Sequence, residues 1–286
     1  MTKFQEKKFS ASTIEVNYAE GPDNGPPMLL IHGLGVRWTN WEPVLNQFAA
    51  RWHVFALDLR GHGDSGRTPG GYGFNDYQTE VIEFLKNKIA QPAYLIGSSL
   101  GGITAADVCA RAPEFVAATV LEDPPLYLAE WFDESDFAPA FREILDLVNR
   151  NLDEAGIAIE LRKADEISPD DVITERAKTL VKVDPEIWAS ALDGRMTELW
   201  DPDAVLEAVI PPVLLMQANP DSGGALRDVE ATRAIDLLSK GRYVKWEDSG
   251  HGMYREHPER FVRLVNAFFD QVLKNRQAPC PPAKLP

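Results

Sequence analysis

The stretch that decides the fold is "AYLIGSSLGGITAAD" (93–107). It opens with a short apolar run, passes through Gly97-Ser98-Ser99-Leu100-Gly101 and continues in a helix-forming pattern. A sharp strand-to-helix turn drives its apex residue into backbone angles that crowd neighbouring side chains. Small residues are then required two places before the apex and two places after it. Were Ser98 the apex, the residue two before it would be Ile96; for Ser99 both flanking positions are glycine, Gly97 and Gly101. Ser99 is therefore the candidate nucleophile and Ser98 a spacer. The N–H groups that open the following helix sit at its positive end, where an oxyanion is stabilised.

Outward from this turn, short Val/Ile/Leu-rich runs recur: "MLLIHG" (28–33), "HVFALDL" (53–59), "AATVLED" (117–123), "VLLMQA" (213–218) and "YVKWED" (243–248). Continuous apolar runs of this length read as strands buried on both faces. Helical period fills 76–90 and 258–273; in the latter Phe261, Leu264, Val265, Phe268 and Val272 share one stripe. The alternation predicts an α/β protein with a mostly parallel, doubly wound sheet of about eight strands and helices on both faces. "KKFSASTIEVNYAEG" (7–21) predicts an antiparallel hairpin at the sheet edge. The rhythm stops over 124–207, where helical patterns such as 138–152 and 168–183 replace it. An all-helical insertion on the C-terminal side of the strands would roof the ligand crevice of such a sheet. The expected organisation is a core of 1–123 and 208–276, a helical cap inserted late in the chain at 124–207, and a flexible proline-rich tail at 277–286.

With 286 residues, 44% hydrophobic and 26% charged, the composition is that of an ordinary soluble globular protein. A net charge of −15 argues against nucleic acid or an anionic membrane as partner, since both require a basic patch. The two cysteines, Cys109 and Cys280, imply neither a disulfide framework nor a metal cluster. The N-terminus has no apolar signal segment, and no run approaches the ~18 residues of a membrane helix. The expectation is a cytoplasmic monomer or homodimer that acts on a small molecule, without membrane insertion, cofactor or metal.

A serine hydroxyl is a weak nucleophile until a base takes its proton. Of five histidines, His53 opens a strand run, His257 precedes Pro258 at a helix start, and His32 and His62 lie in glycine turns. His251 follows the last strand between Gly250 and Gly252, where a side chain can reach over the sheet's C-terminal edge; it is the expected base. The base needs a carboxylate to hold its tautomer. Asp221, past the strand "VLLMQA", is the expected acid, with Asp123 and then Glu122 as alternatives. His32-Gly33-Leu34-Gly35 ends the first buried strand, so the Leu34 and Leu100 N–H groups are the expected oxyanion donors. Trp38, Trp41, Tyr127, Trp131, Trp188 and Met253 are the expected pocket residues. Gly61-x-Gly63-x-x-Gly66 mimics a dinucleotide fingerprint, but "RTPGGYG" follows it, and that run cannot supply the helix N-terminus a pyrophosphate needs.

Taken together, His32-Gly33, "DLRGHGDSG" (58–66), "GSSLGG" (97–102) and "SGHGMYREHPERF" (249–261) resemble the α/β-hydrolase superfamily. The resemblance implies Ser99 as nucleophile, His251 as base, Asp221 as acid, Leu34 and Leu100 as oxyanion donors, and 124–207 as the cap. The chain departs from that family's usual Gly-x-x-Asp acid loop: Ala218-Asn219-Pro220-Asp221 stands there, followed by Gly223-Gly224. The expected activity is cleavage of small to medium apolar carboxylic esters through an acyl-enzyme. Alternatives on the same fold are a carbon–carbon bond hydrolase of ring-cleavage diketones, a lactonase, thioesterase or perhydrolase, and a ligand-binding receptor.

Overall fold

The computed structural model describes residues 4–277, so the expected proline-rich tail lies, apart from Gln277, outside the described residues. The strands are β1 (Gln5–Ser10), β2 (Glu15–Glu20), β3 (Pro27–Ile31), β4 (His53–Leu57), β5 (Ala93–Ser98), β6 (Val116–Glu122), β7 (Val213–Ala218) and β8 (Gly241–Trp246). They form one eight-stranded sheet in the order β1-β2-β4-β3-β5-β6-β7-β8. The β1–β2 and β2–β4 pairs are antiparallel and every other pair is parallel, which is the edge hairpin and doubly wound core expected from the sequence.

Helices α1 (Glu42–Ala49), α2 (Gln78–Phe84) and α3 (Leu100–Arg111) alternate with the first strands. Five helices separate β6 from β7: α4 (Phe137–Asn149), α5 (Glu154–Ala164), α6 (Asp170–Leu180), α7 (Pro185–Leu192) and α8 (Pro202–Ala208). Then α9 (Asp228–Leu237) follows β7, and α10 (Met253–Glu256) and α11 (Pro258–Gln277) follow β8. The helix expected over 76–90 ends at Phe84 and passes through a π-helical turn at Leu85–Ile89 before Ala90 turns left-handed (φ 57°). The helix expected over 168–183 begins at Asp170, because the extended Pro169 (ψ 150°) precedes it.

Side-chain alternation sorts each central strand between two apolar cores. Leu29 and Ile31 of β3 face the core shared with α2, α3, α8 and α9, whereas Met28 and Leu30 face the core shared with α1 and α11. Strand order reverses at β3, which has β4 on one side and β5 on the other. The crevice of an open α/β sheet lies at the C-terminal ends of the strands beside such a reversal. Those ends carry the His32–Gly35 loop and Ser99.

The helical insertion docks on this same edge. Asp184, just before α7, donates its N–H to the Gly61 carbonyl at 2.8 Å and accepts the Tyr72 hydroxyl at 2.7 Å. Beneath this loop the Arg60–Glu80 pair is itself buried and charge-assisted. Among the described residues, no helix is long and apolar enough to cross a membrane.

Leu30 is fully buried, and Ile159 on α5 is 59% exposed. Leu30→Ala is expected to destabilise the fold by about 2–5 kcal/mol, and Ile159→Ala by less than about 0.5 kcal/mol, read as urea midpoints at constant slope.

Candidate active site

Ser99 stands at φ 54°, ψ −118°, a left-handed conformation a non-glycine residue adopts only under constraint. The constraint is visible. The Ser99 N–H donates to the Glu122 carbonyl at 2.9 Å, and the Gly102 and Ile103 N–H groups close onto the Ser99 carbonyl at 2.8 and 3.1 Å. A Cβ on Gly97 would lie 2.1 Å from the Gly101 carbonyl oxygen, and one on Gly101 would lie 2.0 Å from that of Ile31. Both glycines are thus required by backbone contact, which is why the Gly-x-Ser-x-Gly register selects Ser99.

The loop after β3 is held by two neutral histidines. His32 donates from Nδ1 to the Gly33 carbonyl (2.7 Å) and accepts the Leu59 N–H at Nε2 (2.9 Å). His62 donates from Nδ1 to the Arg60 carbonyl (2.9 Å) and accepts the Gly35 N–H at Nε2 (3.0 Å). A carbonyl on one nitrogen and an N–H on the other leave each ring a single tautomer. Burial agrees, pulling His32 down to about 4 and, with the neighbouring His32 ring, His62 down to about 3. Buried Asp58 completes the clamp by accepting the Trp38 N–H (2.8 Å), the Asp64 N–H (3.0 Å) and the Asn17 amide (2.8 Å). Gly63 lies so close that a Cβ there would sit 2.1 Å from Asp58 Oδ2. The glycine-rich run 61–66 is therefore a strut for the neighbouring loop, and no helix follows it until α2 at Gln78. Among the described residues no acceptor engages the Leu34 or Leu100 N–H.

His251 lies on the loop after β8, and its Nδ1 meets Asp123 Oδ2 at 2.6 Å. Asp123 is fully buried and also accepts the N–H groups of Ala225 (2.7 Å), Ala218 (3.1 Å) and Leu226 (3.3 Å). The structure does not bring Asp221, the expected acid, to His251. Asp221 sits exposed in a short 3₁₀ turn, Pro220–Ser222, where its N–H bonds the Asn219 side chain at 3.0 Å. Left-handed Gly223 (φ 86°) then turns the chain away. The end of β7 and the loop that follows it supply backbone donors to Asp123. Asp123 enters the site through its own left-handed backbone (φ 43°), a region aspartate tolerates better than most residues.

Burial disfavours a charged imidazole at His251, but the Asp123 hydrogen bond and charge, with Glu122 and Glu256 behind it, carry its pKa above the ordinary 6.5. With Nδ1 committed to Asp123, Nε2 is the free nitrogen of the neutral ring.

Ser99, Leu100, Leu34 and His251 line one cavity of about 40 Å³, walled by Phe74, Leu128, Phe137, Phe141 and Met196. Among the described residues no lysine or arginine lines it. The six residues expected to form the pocket are absent from its wall. Trp41 stacks on Tyr254 (4.2 Å between ring centroids) and Trp38 joins the same core. Tyr127 lies under Arg233 (4.5 Å) with its hydroxyl on Asp203, and Trp131 packs on Phe137 (5.7 Å). Trp188 packs edge-on to Phe141 (5.0 Å) and fills the space a Cβ on Gly35 would need. Met253 is buried in the core on the other side of the sheet. Large aromatics bury more area as scaffold than as cavity lining, so they support the wall from behind. The sequence signal for the wall itself is the i, i+4 pair Phe137 and Phe141 on α4.

A model of the family described as "Alpha/beta hydrolase family" matches residues 28–264. The chain belongs to the alpha/beta hydrolase family. This hydrolase is 30% identical over 125 residues to a 2-(acetamidomethylene)succinate hydrolase of Mesorhizobium japonicum, a match spanning 44% of this chain and only 45% of that protein. A pimeloyl-[acyl-carrier protein] methyl ester esterase of Aeromonas salmonicida is 27% identical over 260 residues, covering 85% of this chain and 95% of that one. The crystal structure of E-2-(acetamidomethylene)succinate hydrolase superposes with a TM-score of 0.74 at 22% identity, covering 94% of this hydrolase and 100% of that chain. At that identity the likeness is one of fold.

Gly101→Ala is expected to abolish soluble folded protein or to lower its melting temperature by about 10 °C or more, because neither the Ile31 carbonyl nor the turn can move aside. Normal melting of this variant would show that the bend has room to relax.

Proposed function

We propose that this hydrolase cleaves neutral carboxylic esters with Ser99 as nucleophile, His251 as base and Asp123 as the acid that orients it. The observation that carries the reading is the His251–Asp123 pair at 2.6 Å facing a cavity whose wall includes the strained Ser99. Ser99 Oγ attacks the ester carbonyl while its proton passes to His251 Nε2, and the imidazolium is held by Asp123. The oxyanion is received by the Leu34 and Leu100 N–H groups, which have no other acceptor among the described residues. The alcohol leaves with the proton from Nε2. Water, deprotonated by the same nitrogen, then releases the acid and restores Ser99.

The apolar wall supports an uncharged acyl group, because a carboxylate beside Phe137 and Leu128 would be desolvated without a counterion. The esterase relative's printed name supports the ester class; the dicarboxylate in the name of the succinate hydrolase has no matching cation on this wall among the described residues. A cavity of about 40 Å³ holds little more than water, so residues 124–207 act as a cap whose α4 must shift to admit a substrate.

Ser99→Ala is expected to abolish both p-nitrophenyl butyrate turnover and fluorophosphonate labelling. Asp123→Asn should lose about 10⁴-fold in kcat while Asp221→Asn stays near wild type; the reverse ranking would return the acid to the β7 loop. Phe141→Ala should move the preferred p-nitrophenyl ester to a longer acyl chain. Free-enzyme kcat/KM is expected to fall as the pH drops through the raised His251 pKa, since protonation removes the base, placing the acid limb above 6.5.

A further inference from the structure

Glu122, the last residue of β6 and the neighbour of Asp123, is fully buried and has no place in the steps above. Its Oε1 accepts the N–H of Met253, two residues beyond His251, at 2.8 Å. Its Oε2 is sealed from solvent and has no hydrogen-bond partner among the described residues. Among the described residues no lysine or arginine pairs with this carboxyl, although Arg60–Glu80 and Arg227–Glu230 show that the chain supplies cations to its other buried glutamates. A group so placed is costly unless it serves something nearby.

The surroundings identify what it serves. The Ser98 hydroxyl of β5, the His251 imidazole and the carboxyl of its neighbour Asp123 all act on the charge of Glu122, and Glu122 acts in turn on the Tyr254 phenol of α10, itself bonded to Asn40. The loop after β8 also carries Glu247, paired with Lys245 (3.2 Å), and Asp248, paired with Arg260 (2.7 Å). From α10, beside Arg255, Glu256 spends its carboxylate on the Gly250 N–H (2.9 Å) and the Ser249 hydroxyl (3.2 Å). The segment bearing His251 is thus gripped by Glu256 from α10 and by Glu122 from the sheet.

We propose that Glu122 is a positioning residue for His251: its buried carboxyl anchors the segment that carries the imidazole through the Met253 N–H. This inference rests on the reading of His251 as the base. Burial, together with the charge of Asp123, pushes Glu122 up to about 7, while His251 acts in the opposite sense. Each group therefore favours the charged form of the other. Glu122→Gln keeps an acceptor for Met253 but carries no charge; Glu122→Leu removes both.

The test follows His251 by NMR titration of imidazole-labelled protein in wild type, Glu122→Gln and Glu122→Leu, alongside kcat and KM on p-nitrophenyl butyrate. The His251 midpoint is expected to fall by about half a pH unit or more in both variants. Glu122→Leu should lose about tenfold or more in kcat with KM unchanged, and Glu122→Gln should recover most of that loss. An unmoved midpoint in Glu122→Gln overturns the electrostatic role, and equal kcat losses in both variants overturn the anchoring role. Should Glu122→Leu fail to fold, the Gln midpoint alone decides. Should wild type not turn over esters, the functional reading falls, and the NMR titration still decides this one.

Discussion

The carboxylate of Asp123 is the junction on which the C-terminal edge of the sheet depends. A buried anion is tolerable only where donors replace its lost water, and here they come from three backbone N–H groups and one imidazole. Those donors belong to separate segments: the end of β7, the loop leading to α9, and the loop after β8. One side chain therefore gathers loops far apart in sequence and fixes the direction in which His251 points. It also accounts for the turn at Gly223-Gly224, which brings Ala225 and Leu226 back with their N–H groups aimed inward; a Cβ at Gly224 would come within 2.9 Å of the Asn219 carbonyl oxygen.

Identical residue types acquire opposite characters around this junction. His32 and His62 are locked neutral between a carbonyl and an N–H, whereas His251 faces carboxylates and is made more basic. Glu122 and Asp123 are consecutive in the chain, yet one has a single backbone donor and the other three as well as an imidazole.

The alpha/beta hydrolase fold hosts many chemistries, and in this chain the wall over Ser99 is built in large part by the helical insertion. Helices α4 and α7 bring Phe141 and Trp188 over the loop after β3, so the wall above Ser99 is hydrocarbon and aromatic edge. Such a wall discriminates weakly among apolar groups but strongly against charge, because an unpaired carboxylate costs far more than a missing methylene.

The sequence by itself determined the α/β alternation, the edge hairpin, the helical run between β6 and β7, and the serine at the bend. Each of these is a local constraint: buried strands need apolar runs, helices need their period, and the turn needs glycine on both sides of Ser99. The neutral roles of His32 and His62 were partly legible from their glycine turns. Which carboxylate meets His251 was not. Asp123 and Asp221 both follow strands that border the site, and only backbone direction after β6 and β7 decides which carboxylate turns inward and which faces water. The cavity wall was hidden for a related reason. Composition reveals how many aromatic rings a chain has, but which ring lines a cavity and which packs behind it depends on how the helices of the insertion sit on the sheet, and that is settled by long-range packing alone.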